Sequence, residues 1–181
     1  MAEISKPYTM IADFVTGREV PNVGAEENRQ AVEKLLVAEK GYLKEDIEVD
    51  VDITITVGGG PYNSQVDLVV SADGGKTRFM VIKCAAGSLG SHEREIVAAA
   101  RLLDEYQIPY AVVSDGKTAT VLDTVTGKKI GDGLDATPSK QEAITKLKSY
   151  TPLAFPDERR EREKLIFRTY DIENVNVQRN I

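Results

Sequence analysis

Asp67 and Lys83 are the two residues whose placement could do chemistry. Each sits inside an apolar run: Gln65-Val66-Asp67-Leu68-Val69-Val70 and Phe79-Met80-Val81-Ile82-Lys83-Cys84-Ala85-Ala86. A charge inside a buried strand costs on the order of several kcal/mol unless it is paired or binds a metal. Asp73-Gly74-Gly75 reads as a hairpin turn between the runs, so the charges belong to consecutive strands. Two readings fit: a functional site, or an Asp–Lys ion pair with no chemistry.

The elements that must position these residues follow in order. Residues 1–15 are a lead-in with a short amphipathic stretch over 8–15, and 16–22 read as turn and loop. A helix spans about 24–40, with Ala31, Leu35 and Ala38 at helical spacing and Val32 and Leu36 beside them, and Gly41 stops it. Glu26, Glu27 and Glu33 read as acids favoured by the helix macrodipole. Residues 47–57 alternate strictly, which predicts a half-buried strand with Ile47, Val49, Val51, Ile53, Ile55 and Val57 inward and Glu48, Asp50 and Asp52 solvated. A loop is expected over 58–63.

After the two charged strands, Ser91 is a candidate N-cap for a helix over about 92–106 that buries Ile96, Ala99, Ala100 and Leu103. His92, at the helix start, is expected to face solvent, and Cys84 to face the core. Residues 108–114 form a continuous apolar strand suited to cover on both faces. Asp115-Gly116 turns it into a strand over 119–122, with a further turn at 126–129. Helices are expected over 139–149 and 157–170, the second a charged arm with Asp157 as N-cap and Leu165 and Ile166 as anchors, and 171–181 as frayed. The order predicts an α/β sandwich with a central mixed sheet flanked by helices, plus a C-terminal helical arm. The domain is expected over 12–132 and the extension over 133–181.

The chain has 181 residues, one Cys and one His. That excludes an internal disulfide and a Cys-based zinc site, so any metal here would be hard and oxygen-liganded. Net charge is −6, which weighs against a dedicated high-affinity nucleic-acid binder but not against an enzyme with local phosphate contacts. No apolar run approaches transmembrane length and no signal pattern opens the chain, so cytoplasm is the expected location. There is no G-x-x-x-x-G-K-[ST] phosphate loop, and so no motor of that kind.

The ordered set of residues 24–32 with Leu35 and Leu36, Gly41-Tyr42, Val66 to Val70, Val81 to Ala85 and residues 108–116 resembles the PD-(D/E)XK nuclease family. More narrowly, it resembles the N-terminal nuclease domain of type I restriction enzyme R subunits. The resemblance implies a restriction-endonuclease-like fold and Mg²⁺-dependent hydrolysis of DNA phosphodiesters. It implies Asp67 as a metal ligand, Lys83 as the catalytic lysine, and Glu27 or Glu26 as the acid of the first helix. DNA and other restriction-system subunits are the implied partners, and the C-terminal arm is a candidate for homo-oligomerisation.

The chain departs from the pattern at the second acid, where Val81 stands two residues before Lys83. Two explanations stay open. Glu95, or Glu93, on the following helix supplies the missing carboxylate. Otherwise the fold is a catalytically inactive module for DNA binding or subunit assembly. Either way, Mg²⁺ is expected to be held weakly.

Overall fold

The computed structural model describes residues 7–179. Its elements are β1 (Met10–Ala12), β2 (Glu19–Pro21), α1 (Glu26–Ala38), β3 (Ile47–Val57), β4 (Gly60–Ser71), β5 (Arg78–Cys84), α2 (Glu93–Leu102), β6 (Tyr110–Ser114), β7 (Ala119–Asp123), β8 (Lys129–Asp132), α3 (Lys140–Leu147) and α4 (Asp157–Arg179). Strands β3 to β8 form one six-stranded sheet in sequence order. Within it β5 and β6 are parallel and every other neighbouring pair is antiparallel. A parallel pair needs a crossover, and α2 supplies it. The fold is an α/β sandwich with a mixed sheet. No helix among the described residues is long and apolar enough to cross a membrane.

The sheet is covered on both faces. On one, Val32 and Leu36 of α1 and Ala143 of α3 pack with Leu68, Met80 and Ile82. On the other, Ile96 and Ala99 of α2 and Phe167 of α4 pack with Val69, Val81 and Val113. Neighbouring residues of β5 thus enter opposite layers, which is why that strand is apolar from Phe79 on except at Lys83.

Several expectations are corrected. Residues 8–22 are not lead-in and loop, because β1 and β2 pair as an antiparallel ribbon. The expected loop over 58–63 is a tight turn at Gly58-Gly59, both at positive φ, and β4 already pairs at Gly60. Two consecutive positive φ values are what a type I′ hairpin requires. On α1, Ala31 and Ala38 face solvent and the buried stripe is Val32, Leu35 and Leu36. Glu33 is no solvated acid: it is 0% exposed.

The inward residues of β3 do not share one face. Ile47 and Val49 join the α1 layer, whereas Val51, Ile53, Ile55 and Val57 join the α2 layer. The switch falls at Asp50, which takes φ 54, a left-handed conformation that Asp tolerates better than most residues. On β4 the same switch separates Val66 from Leu68, and Asp67 lies between them.

A short 3₁₀ turn, Leu89–His92, precedes α2, and the Ser91 hydroxyl donates to the Ser88 carbonyl instead of capping the helix. The helix ends at Leu102, before the expected 106, and β6 begins at Tyr110. Helix α4 does not fray at 171 but continues to Arg179, while residues 180–181 lie outside the described residues. Of the two expected anchors, Ile166 packs half-buried against the α2 layer, but Leu165 is 48% exposed and the buried anchor is Phe167. The arm packs on α2: the Arg101 guanidinium meets the Glu163 carboxylate at 2.9 Å, both buried.

Candidate active site

The β4–β5 ladder runs from Ser71↔Arg78 to Leu68↔Ile82. Asp67 and Lys83 come next, just past its open end, where the two strands part. There the Cys84 N–H donates to Asp67 Oδ2 at 2.7 Å. The carboxylate replaces a β4 carbonyl as acceptor, which fixes its orientation. Lys83 Nζ lies 3.9 Å from Asp67 Oδ2 and 3.3 Å from Glu95 Oε1. Glu95, in the first turn of α2, also has Oε2 3.3 Å from His92 Nδ1. His92 is buried, contrary to the solvent-facing role expected of it.

Electrostatics knit these groups together. Burial disfavours the Lys83 ammonium, but the Asp67 and Glu95 carboxylates outweigh it and hold its pKa above the ordinary lysine value. Burial raises the Asp67 pKa, against the Lys83 charge and the Cys84 N–H. Lys83 is therefore a fixed cation, suited to contact a phosphate and unsuited to accept a proton.

Asp67 and Lys83 open on a cavity of about 620 Å³ whose wall is built by α1, β3, β4, β5 and α4. Helix α1 is registered on it by Asn28, whose Nδ2 donates to the Ala85 carbonyl at 2.7 Å. Of the two candidate acids on α1, Glu26 lines the cavity; Glu27 faces solvent and accepts from Asn22. Glu26 is held by Arg29 at 2.8 Å, and Arg29 also reaches Asp50 at 2.6 Å. Asp50 is thus a cavity wall residue and not merely part of a solvated face. Val81 is 0% exposed in the α2 layer, and Glu93 is only half-buried. Cys84 is buried in the α1 layer, the far side of the strand from Lys83.

The family described as type I restriction enzyme R protein N terminus matches residues 24–138, more than half of the chain. The chain belongs to this family. No curated protein and no solved structure matches it. Membership accords with the PD-(D/E)XK placement. The matched segment of this type I R N-terminal domain contains Glu26, Asp67, Val81, Lys83 and Glu95.

Three cavity residues, Val23, Asp171 and Ile172, lie outside that segment, and the charged one was missed in the sequence. Asp171 of α4 is 1% exposed, lines the cavity and accepts a hydrogen bond from the Tyr62 hydroxyl. The signal was there: Glu163, Phe167 and Asp171 recur at every fourth position and share one helix face. All three are buried.

Among the described residues, no three acids, His or Cys converge as a ready-made metal cage. Mg²⁺ does not need one, since it uses one or two carboxylates with substrate phosphates. Asp67, whose side chain is 23% exposed on the cavity wall, carries a hard oxygen of that kind, whereas Glu95 is buried between Lys83 and His92 and does not line the cavity.

Proposed function

We propose that this domain is a divalent-metal-dependent nuclease that hydrolyses DNA phosphodiesters, with Asp67 and Glu95 as its acids and Lys83 as its lysine. The observation that carries the reading is the 3.3 Å contact between Lys83 Nζ and Glu95 Oε1. It puts a carboxylate from α2 beside the lysine, the group that Val81 fails to supply from β5. Mg²⁺ held by Asp67 and Glu95 would lower the pKa of a bound water and neutralise phosphate charge. Lys83 adds a fixed positive charge for a phosphate oxygen, and Cys84 N–H keeps Asp67 aimed. The cavity wall is rich in acids (Glu26, Asp50, Asp52, Asp67 and Asp171), so a polyanion needs a cation to enter it. Within a restriction system, other subunits would supply sequence recognition and translocation.

The test is cleavage of supercoiled plasmid and of single-stranded DNA with Mg²⁺ or Mn²⁺. Asp67→Asn, Lys83→Ala and Glu95→Gln should each abolish cutting. A second reading draws on Val81, fully buried among apolar neighbours: a nuclease fold kept for DNA binding or subunit assembly. Wild-type protein that shifts DNA but never cuts it, with either metal, establishes that reading instead.

A further inference from the structure

Helix α4 lies beyond the family segment, yet it delivers a carboxylate to the cavity that Asp67 and Lys83 line. That carboxylate belongs to Asp171. The Tyr62 hydroxyl donates to its Oδ2, and Ser64 on the same strand also hydrogen-bonds it. Tyr62 and Ser64 stand on the stretch of β4 that leads into Asp67, so the bonds register α4 against the strand that carries the first acid.

Charge counting gives the position its meaning. Asp67 and Glu95 against Lys83 leave one net negative charge when all are ionised. A divalent ion brings two positive charges. A Glu or Asp at 81 would have made up the difference, and Val81 does not. With Asp171 ionised the group carries two net negative charges. No three acids among the described residues converge as direct ligands, so Asp171 acts through its field and through Tyr62.

We propose that Asp171 is a positioning residue of the active site, restoring from α4 the negative charge that Val81 removes from β5. The inference rests on the nuclease reading given above. Burial raises the Asp171 pKa, and the Glu95 carboxylate adds to this while Lys83 opposes it, which accords with an acid whose charge is relieved by a cation.

The test uses the full chain and Mn²⁺ alone, with free Mn²⁺ followed by electron paramagnetic resonance and folding by thermal melts without metal. Asp171→Asn should bind Mn²⁺ about tenfold more weakly than wild type, the scale on which one nearby charge moves such an equilibrium. Its metal-free melt should be unchanged or higher, because acid crowding is relieved. Asp171→Glu should recover most of the affinity, which a purely structural clasp would not require. Should Asp171→Asn fail to fold, Asp171→Ser, which keeps an oxygen for Tyr62, carries the same comparison. Wild-type affinity in the Asp171 variant, with affinity lost in Asp67→Asn, overturns this inference and leaves the nuclease reading intact. Wild-type protein that binds no Mn²⁺, or binds it equally well in Asp67→Asn, overturns both.

Discussion

At the scale of single residues, Val81 is the position where sequence and site diverge most. It is buried beside Val69 and Ala111 and lies two residues before Lys83 on the same side of β5. Val81→Glu would place a third carboxylate near Lys83. Without metal the variant should melt well below wild type, because a buried acid costs on the order of several kcal/mol and Lys83 already serves two carboxylates. Mg²⁺ should then raise its melting temperature more than wild type's, since an ion that binds only the folded state stabilises it by mass action. Thermal melts with and without Mg²⁺ check this, and equal shifts in both proteins would count against a site at Lys83. That Asp67 and Lys83 meet was legible in the sequence because a charge within an apolar run needs a partner or a metal. Glu26 and Glu27 could not be separated there. Adjacent helix positions point about 100° apart, and only the rotation of α1 about its axis decides which faces inward.

At the scale of elements, the β1–β2 ribbon is joined to α1 by a buried acid pair. Gln30 Nε2 donates to Asp13 Oδ2 at 3.1 Å, and the Val15 N–H donates to Glu33 Oε2 at 3.1 Å. Burial, with the Asp13 charge next, pushes the Glu33 pKa up to about 8. Asp13 is itself buried, but hydrogen bonds from Thr16 and Gln30 hold its pKa below the usual value. The fold favours neutral Glu33, so the folded chain holds a proton that the unfolded chain releases above pH 4.5. Glu33 therefore stabilises fully below that pH, and its contribution is lost as pH rises to about 8. Glu33→Gln should remove the loss: relative to wild type, its stability should rise across this window by roughly a few kcal/mol. Urea melts at pH 5 and pH 9 measure the difference, and a difference that does not change with pH would refute it. Nothing in the residue pattern signalled this pair. Ribbon strands of three residues are too short to show alternation, and Glu33, two turns into α1, groups by type with the first-turn acids Glu26 and Glu27 although the macrodipole fades beyond that turn.

At the scale of the whole molecule, the four helices and strands β3 to β7 could be read from the residue pattern, but β8, which begins inside the turn expected over 126–129, and the place of α4 could not. Its composition is strongly charged, and an amphipathic stripe is recognised by apolar residues. Here the stripe carries Glu163 and Asp171 on either side of Phe167, and each acid meets a partner that only the fold provides. Glu163→Ala should cost about 3 kcal/mol by leaving the buried Arg101 without its carboxylate. Because α4 also forms the cavity wall, the variant should lose stability and weaken Mn²⁺ binding together, whereas a detachable arm would change neither. Chemical denaturation and the Mn²⁺ titration decide between the two. The turn of β3 at Asp50 has a separate bearing on how the chain behaves in a crowded solution. β3 is an edge strand of eleven residues, long enough to recruit a strand from another copy. A left-handed residue at its fourth position breaks that edge into stretches of three and seven residues facing different ways, so a flat neighbour can pair with one of them but not with both.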